Sequence, residues 1–99
     1  VGSIGDNRLG GWYSYRASKA ALNMLLKTAA IEVARTHPQA VLEALHPGTV
    51  DSALSAPFSG AQIGRPPAMA AQDLLAVLDG LQPQDSGGFW AYDGQHLPW

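Results

Sequence analysis

Between Trp12 and Thr36 the chain reads as one long helix that is apolar almost all the way round. Alanines and larger apolar residues (Leu22, Met24, Leu25, Leu26, Ile31, Val33) fall on every side. Only Lys27, Glu32 and Arg35 interrupt the later turns. A helix with one face in water shows a narrower apolar stripe, so this pattern predicts cover on two faces, by a sheet and by a second helix, including one from another subunit. Ser14 is placed to cap the start. Pro38 bounds the end, because the residue before a proline is pushed out of the helical region.

The remaining elements follow from punctuation. Residues Val1 to Gly11 hold four glycines with Asp6 and Asn7, which is loop chemistry. Gln39 to Leu45 suits a short buried strand that His46-Pro47-Gly48 breaks. Glu43 is out of place in it unless that side faces solvent. Thr49 to Gly64 reads as a long loop with room for one helical turn. Its small residues (Ala53, Ser55, Ala56, Ser59, Gly60) suit a mobile lid. Pro66-Pro67 opens a second helix, where a missing amide costs nothing, and Ala71, Leu74, Leu75, Leu78 and Leu81 recur at helical spacing. Phe89 to Tyr92 forms a second strand between Gly87-Gly88 and the Asp93-Gly94 turn. Helix, strand, helix, strand is the tail of an α/β layered domain with a parallel sheet. Two strands alone leave edges unpaired, so the chain is expected to be completed by an N-terminal half or another partner.

Composition narrows the function classes. The chain has 99 residues, of which 14% are charged, against roughly 25% in an average soluble domain. So short a chain should need many charges, and the shortage again predicts surface buried against something. A net charge of −2 without a basic stripe argues against nucleic acid. With no cysteine there is neither a disulfide framework nor a thiolate metal site, and His37, His46 and His96 lack metal-ligand spacing, so no metal is expected. Nothing approaches the roughly 20 apolar residues of a membrane span, and no basic start followed by an apolar core marks a signal peptide. A cytoplasmic location is the expectation.

The chain contains two lysines, and one of them, Lys19, stands four residues after Tyr15, so both side chains project from one face of the first helix. A tyrosine ordinarily titrates near 10, and a neighbouring ammonium favours the phenolate, which makes a phenol useful as a general acid or base near neutral pH. The alternative is a surface tyrosine beside a solvated lysine.

The stretch Tyr13-Ser14-Tyr15-Arg16-Ala17-Ser18-Lys19-Ala20-Ala21-Leu22-Asn23 resembles the active-site helix of the short-chain dehydrogenases/reductases. Gly2-Ser3-Ile4 and Gly10-Gly11-Trp12-Tyr13 resemble, more narrowly, the C-factor and sniffer-like carbonyl reductase branch. His46-Pro47-Gly48-Thr49-Val50-Asp51-Ser52 is similar to the family's Pro-Gly loop, and Gly87 to Gly94 to its last strand and turn. The resemblance runs from end to end of the chain. It implies the C-terminal part of a Rossmann-like doubly wound parallel sheet, with residues 1–99 as the catalytic half and the dinucleotide-binding half absent. It implies an oxidoreductase acting on a carbonyl or alcohol with NAD or NADP as cofactor. Tyr15 would be the proton donor and acceptor. Lys19 would favour its phenolate and bind the nicotinamide ribose, and Ser3 would hold the substrate oxygen. Pro47, Gly48, Val50 and Ser52 would border the cofactor. For Ser3 a plain loop hydroxyl, and for Pro47-Gly48 a strand-ending turn, are the competing readings of the residues themselves.

Two functions follow from these features. One is the oxidoreductase, with a small carbonyl or alcohol as partner. The other is a non-catalytic module in which the helix over residues 12–36 docks a second copy, giving a homo-oligomer or a signalling piece. No glycine-rich pyrophosphate loop follows a first strand, so these 99 residues alone are expected to hold a dinucleotide weakly.

Overall fold

The computed structural model describes residues 2–58 and 64–99. Helix α1 runs Tyr13–Thr36, strand β1 Ala44–His46, helix α2 Pro67–Gly80 and strand β2 Phe89–Ala91, with short 3-10 turns at Ala56–Phe58 and Pro83–Asp85. The order is the helix-strand-helix-strand expected of an α/β chain. β1 and β2 pair in parallel with Ala44 opposite Phe89, Leu45 opposite Trp90 and His46 opposite Ala91. The connection between them carries α2, as a parallel pair requires.

Both strands are shorter than their sequences suggest, but the ladder outlasts them. Leu42 receives the Gly87 amide at 2.8 Å, and the Tyr92 amide donates to His46 at 2.9 Å, so pairing extends past both ends. His46, expected to break the strand, is its last residue. Beyond β2 the chain doubles back. Ala91 donates to Gln95 and Leu97 to Phe89, laying the C-terminal residues antiparallel along the strand.

Helix α1 departs from expectation at its start. Ser14 does not cap it. The N-cap is Trp12, in the left-handed region at φ 57° and with no side-chain cap bond. That conformation costs a non-glycine residue roughly 1–2 kcal/mol. The Arg16 side chain closes the turn from the far side, reaching the carbonyls of Gly11 at 2.8 Å and Gly10 at 3.1 Å. The two-sided cover predicted for this helix is not supplied by the chain itself. Leu22 and Ile31 are about half exposed, and Met24 and Leu25 are each 68% exposed. Among the described residues the buried apolar set is three alanines, Ala30 on α1, Ala70 on α2 and Ala91 on β2.

The described part of the loop before α2 is hydrogen-bonded. Val50 bridges Arg65 in parallel, closing the segment on itself. Ala53, Ser55 and Ala56 belong to a hydrogen-bonded turn in which the Ala56 amide reaches Ser52 at 2.9 Å. Ser59 and Gly60, assigned to the same lid, lie outside the described residues.

Glu43 does not face solvent. Its Oε2 accepts the Gly88 amide at 3.1 Å, tying β1 to the entry of β2. Its Oε1 and the Trp90 Nε1 are both buried and fall short of a hydrogen bond, although the indole is close enough to favour the carboxylate. Burial outweighs these contacts and raises the carboxyl above its ordinary 4.5, with Asp85 adding in the same direction. The folded state thus holds this proton more tightly than the unfolded chain, so the contribution to stability is greatest in acid and declines as pH rises through the raised value. Glu43→Gln keeps an oxygen for the Gly88 amide and removes that decline. Urea midpoints from about pH 4 to about pH 7 should show the variant gaining on the parent as pH rises. A difference that stays constant with pH rules this account out.

Candidate active site

The first turns of α1 place Tyr15 and Lys19 on one face. The Lys19 ammonium lies 5.5 Å from the centroid of the Tyr15 ring. Trp12 meets the same ring edge-on at 6.3 Å, at an interplanar angle of 76°. The indole and the lysine thus bracket a phenol that remains 39% exposed, open enough to meet a ligand. Ser18, between the two, turns its hydroxyl back to the Tyr15 carbonyl at 2.7 Å. The loop carrying Ser3 lies against this face. A Cβ on Gly2 would stand 2.9 Å from Lys19 Cβ, so only glycine lets the chain pass so close to the lysine stem.

Ser3 is not free. Its hydroxyl donates to the Pro98 carbonyl at 3.0 Å and accepts the Asp6 amide at 3.2 Å. The Gly5 amide donates to the Trp99 carbonyl at 2.6 Å. Trp99 in turn stacks on Phe89 at 5.5 Å between centroids and 13° between planes. The C-terminal residues therefore strap the Ser3 loop to β2.

The second group of predicted residues follows β1. Gly48 has φ +75°, and a Cβ there would meet the Tyr92 ring at 3.0 Å, so glycine is required for both conformation and space. Pro47 gives its carbonyl to Arg65 Nη1 at 3.2 Å. Val50 pairs with Arg65 and gives its carbonyl to the Ser55 hydroxyl. Ser52 is occupied with Ser55, whose amide it accepts at 3.3 Å. Different contacts hold the two groups: α1 carries Tyr15 and Lys19, while Arg65 and Tyr92 gather Pro47, Gly48 and Val50.

Arg65 escaped the sequence reading. Its guanidinium lies 4.0 Å over the Tyr92 ring and pairs with Asp73 on α2. A signal was present in retrospect, since Arg65 precedes Pro66-Pro67 and Asp73 stands eight residues on, but neither belongs to a motif.

An open cavity of about 380 Å³ lies elsewhere, among Lys27, Asp85, Gly88, Trp90, His96 and Trp99, and takes in none of the predicted site residues. A smaller one of about 200 Å³ borders α1 at Ala20, Asn23 and Met24, closed by Ile4 and Trp99.

No protein-family model matches the chain. It is 41% identical over 99 residues to a 1-hydroxy-2-glutathionyl-2-methyl-3-butene dehydrogenase from a Rhodococcus species and 38% identical over 99 residues to C-signal of Myxococcus xanthus. All of the chain is matched in both cases, and it spans 43% and 56% of those two proteins, about half of their length. Among solved structures, the carbonyl reductase Sniffer of Drosophila melanogaster superposes with a TM-score of 0.83 at 30% identity. An NADPH-bound carbonyl reductase from chicken fatty liver follows at 0.80 and 32%. Each structure covers 99% of this chain, which covers 37% and 39% of theirs. The chain is homologous to the short-chain dehydrogenases/reductases. Its two-stranded parallel sheet and helices therefore correspond to part of a Rossmann-like short-chain reductase fold. Among the described residues no helix is long and apolar enough to cross a membrane.

Trp99 is the anchor of the strap beside this site. Trp99→Ala removes the stack on Phe89 and should lower stability by about 1–3 kcal/mol, less than a fully buried tryptophan because the ring is partly exposed. Hydrogen exchange at Gly5 should rise with it, since that amide depends on the Trp99 carbonyl. A loss of stability without faster exchange at Gly5 would show that the strap does not hold the loop.

Proposed function

We propose that residues 1–99 form the C-terminal catalytic half of an NAD(P)(H)-dependent oxidoreductase acting on a carbonyl or alcohol carbon, with Tyr15 as general acid and base. The observation that carries this is the Tyr15 phenol and Lys19 ammonium sharing one face of α1, in a chain homologous along its whole length to short-chain reductases. The residues fit a nicotinamide cofactor. Lys19 offers a cationic donor suited to ribose hydroxyls, and Gly48 presents backbone without a side chain. The chicken fatty liver carbonyl reductase holds NADPH, which supports the same class of cofactor here.

When bound, the cofactor supplies or takes up the hydride. In the reducing direction the Tyr15 hydroxyl gives its proton to the carbonyl oxygen as charge builds there, and in the oxidising direction the phenolate takes that proton from the alcohol. Lys19, 5.5 Å from the Tyr15 ring centroid, would hold the ribose with its ammonium donors. Ser3 is assigned to the substrate oxygen. Pro47, Gly48, Val50 and the Ser52 hydroxyl would form the wall that receives the nicotinamide.

The test is Tyr15→Phe in the whole protein that carries these residues, assayed with NADH and NADPH against a carbonyl substrate. The rate should fall by about 10²–10⁴-fold while the unfolding midpoint scarcely moves. Tyr13→Phe, two residues earlier, should leave the rate intact. A Tyr15→Phe protein of undiminished rate ends the assignment.

A second reading has its own support. The apolar residues left open along α1 suit a helix that docks another copy, and one relative bears the name C-signal rather than that of an enzyme. On this reading the chain is a non-catalytic oligomerisation or signalling module. Light scattering should then find a dimer or larger species, weakened when Met24 and Leu25 are both changed to Ser. A well-folded monomer at high concentration excludes it.

A further inference from the structure

Arg65 touches three separate elements around the Pro47–Asp51 loop. Its Nη1 donates to the Pro47 carbonyl at 3.2 Å, and its Nη2 pairs with the Asp73 carboxylate on α2. The face of its guanidinium lies 4.0 Å over the Tyr92 ring, just beyond β2. Its backbone adds two more ties, donating to Thr49 at 2.8 Å and accepting from Asp51 at 2.9 Å. The side chain is only 20% exposed. The Tyr92 ring that carries the guanidinium also sets the limit at Gly48, where it leaves no room for a Cβ. One planar cation thus fixes the height of the loop above the sheet and its distance from α2.

We infer that Arg65 is a positioning residue for the cofactor wall, holding the backbone of Pro47 to Asp51 where the nicotinamide would lie. The inference rests on the oxidoreductase reading above. Arginine suits the task for a physical reason. Its fork bonds a carbonyl and a carboxylate at once while its flat face stacks on an aromatic ring, and lysine offers neither the fork nor the face. Asp73 completes the arrangement by tying the guanidinium to α2. Arg65 acts through the loop and touches no reacting atom.

The experiment compares Arg65→Ala and Arg65→Lys with the parent in the whole protein, by steady-state kinetics and by amide hydrogen exchange. Arg65→Ala should raise the KM for the nicotinamide cofactor by about tenfold, with kcat at saturating cofactor within about twofold. Exchange at the amides of Gly48 to Asp51 should quicken by about tenfold while α1 keeps its protection. Arg65→Lys should recover only part of either effect. Tyr92→Phe, which keeps the ring, should match the parent, and Tyr92→Leu should resemble Arg65→Ala. Unchanged exchange in the loop overturns the inference, as does quickened exchange with an unchanged cofactor KM. Quickened exchange spread through α1 also counts against it, since that is general loosening. A parent protein that turns over no nicotinamide cofactor sinks the oxidoreductase reading instead, and loop exchange then decides alone whether Arg65 clamps the loop.

Discussion

Register between two three-residue strands governs the rest of this structure. β1 and β2 meet with Leu45 opposite Trp90, and the Tyr92 amide makes the next rung beyond them on the His46 carbonyl. That rung places the Tyr92 ring beneath Gly48, and only there can it carry the Arg65 guanidinium and limit the loop at once. Side chains alternate along a strand, so a slip of one residue would turn Tyr92 to the opposite face and leave Arg65 without its platform. Glu43 secures the other end of the same pairing by accepting the Gly88 amide, at the cost of burying a carboxyl. An acid in an apolar strand is thus explained by the amide it receives.

The balance of buried and open surface is unusual for a folded α/β chain. Three alanines make up the buried apolar set among the described residues, whereas Met24, Leu25 and much of α1 stand open. Alanines bring backbones close but remove little apolar area from water, so they contribute modestly to stability. The same composition that left so few charges left these side chains as well. The two relatives are about twice as long or more, and the apolar length of α1 is the kind of surface that a larger sheet or a second helix covers.

Much of the architecture was legible in the sequence, because it depends on local signals. Helix α1 ends where Pro38 predicted, α2 begins at the Pro66-Pro67 pair, and β2 lies between the glycines that bound it. The parts that were not legible depend on which groups a side chain meets once the chain has folded, near or far along it. Nothing near Ser14 tells that Arg16 reaches back to Gly10 and Gly11 and makes a side-chain cap unnecessary. The short span of β1 and the role of Glu43 require Gly88, forty-five residues on. Of the candidate site, the Tyr15 and Lys19 spacing follows from helical geometry alone. Arg65 could not be found that way, since its partners Pro47, Asp73 and Tyr92 lie on three segments that only folding brings together.

Ser3 asks more of the molecule than Tyr15 does. A hydroxyl has one proton to donate, and here that proton goes to the Pro98 carbonyl while the oxygen accepts the Asp6 amide. To steady a charged substrate oxygen, the same hydroxyl must rotate its proton away from Pro98 and leave that carbonyl to another donor or to water. The exchange is inexpensive because Pro98 is exposed, so its carbonyl loses a partner that water can replace. On the role proposed for Ser3, the C-terminal strap would bear on chemistry as well as on folding. It sets the loop that holds Ser3 and at the same time competes for the one proton Ser3 can offer. Tyr15 faces no comparable competition in its contacts with Trp12 and Lys19, which engage the ring and leave the donor role to the phenol oxygen.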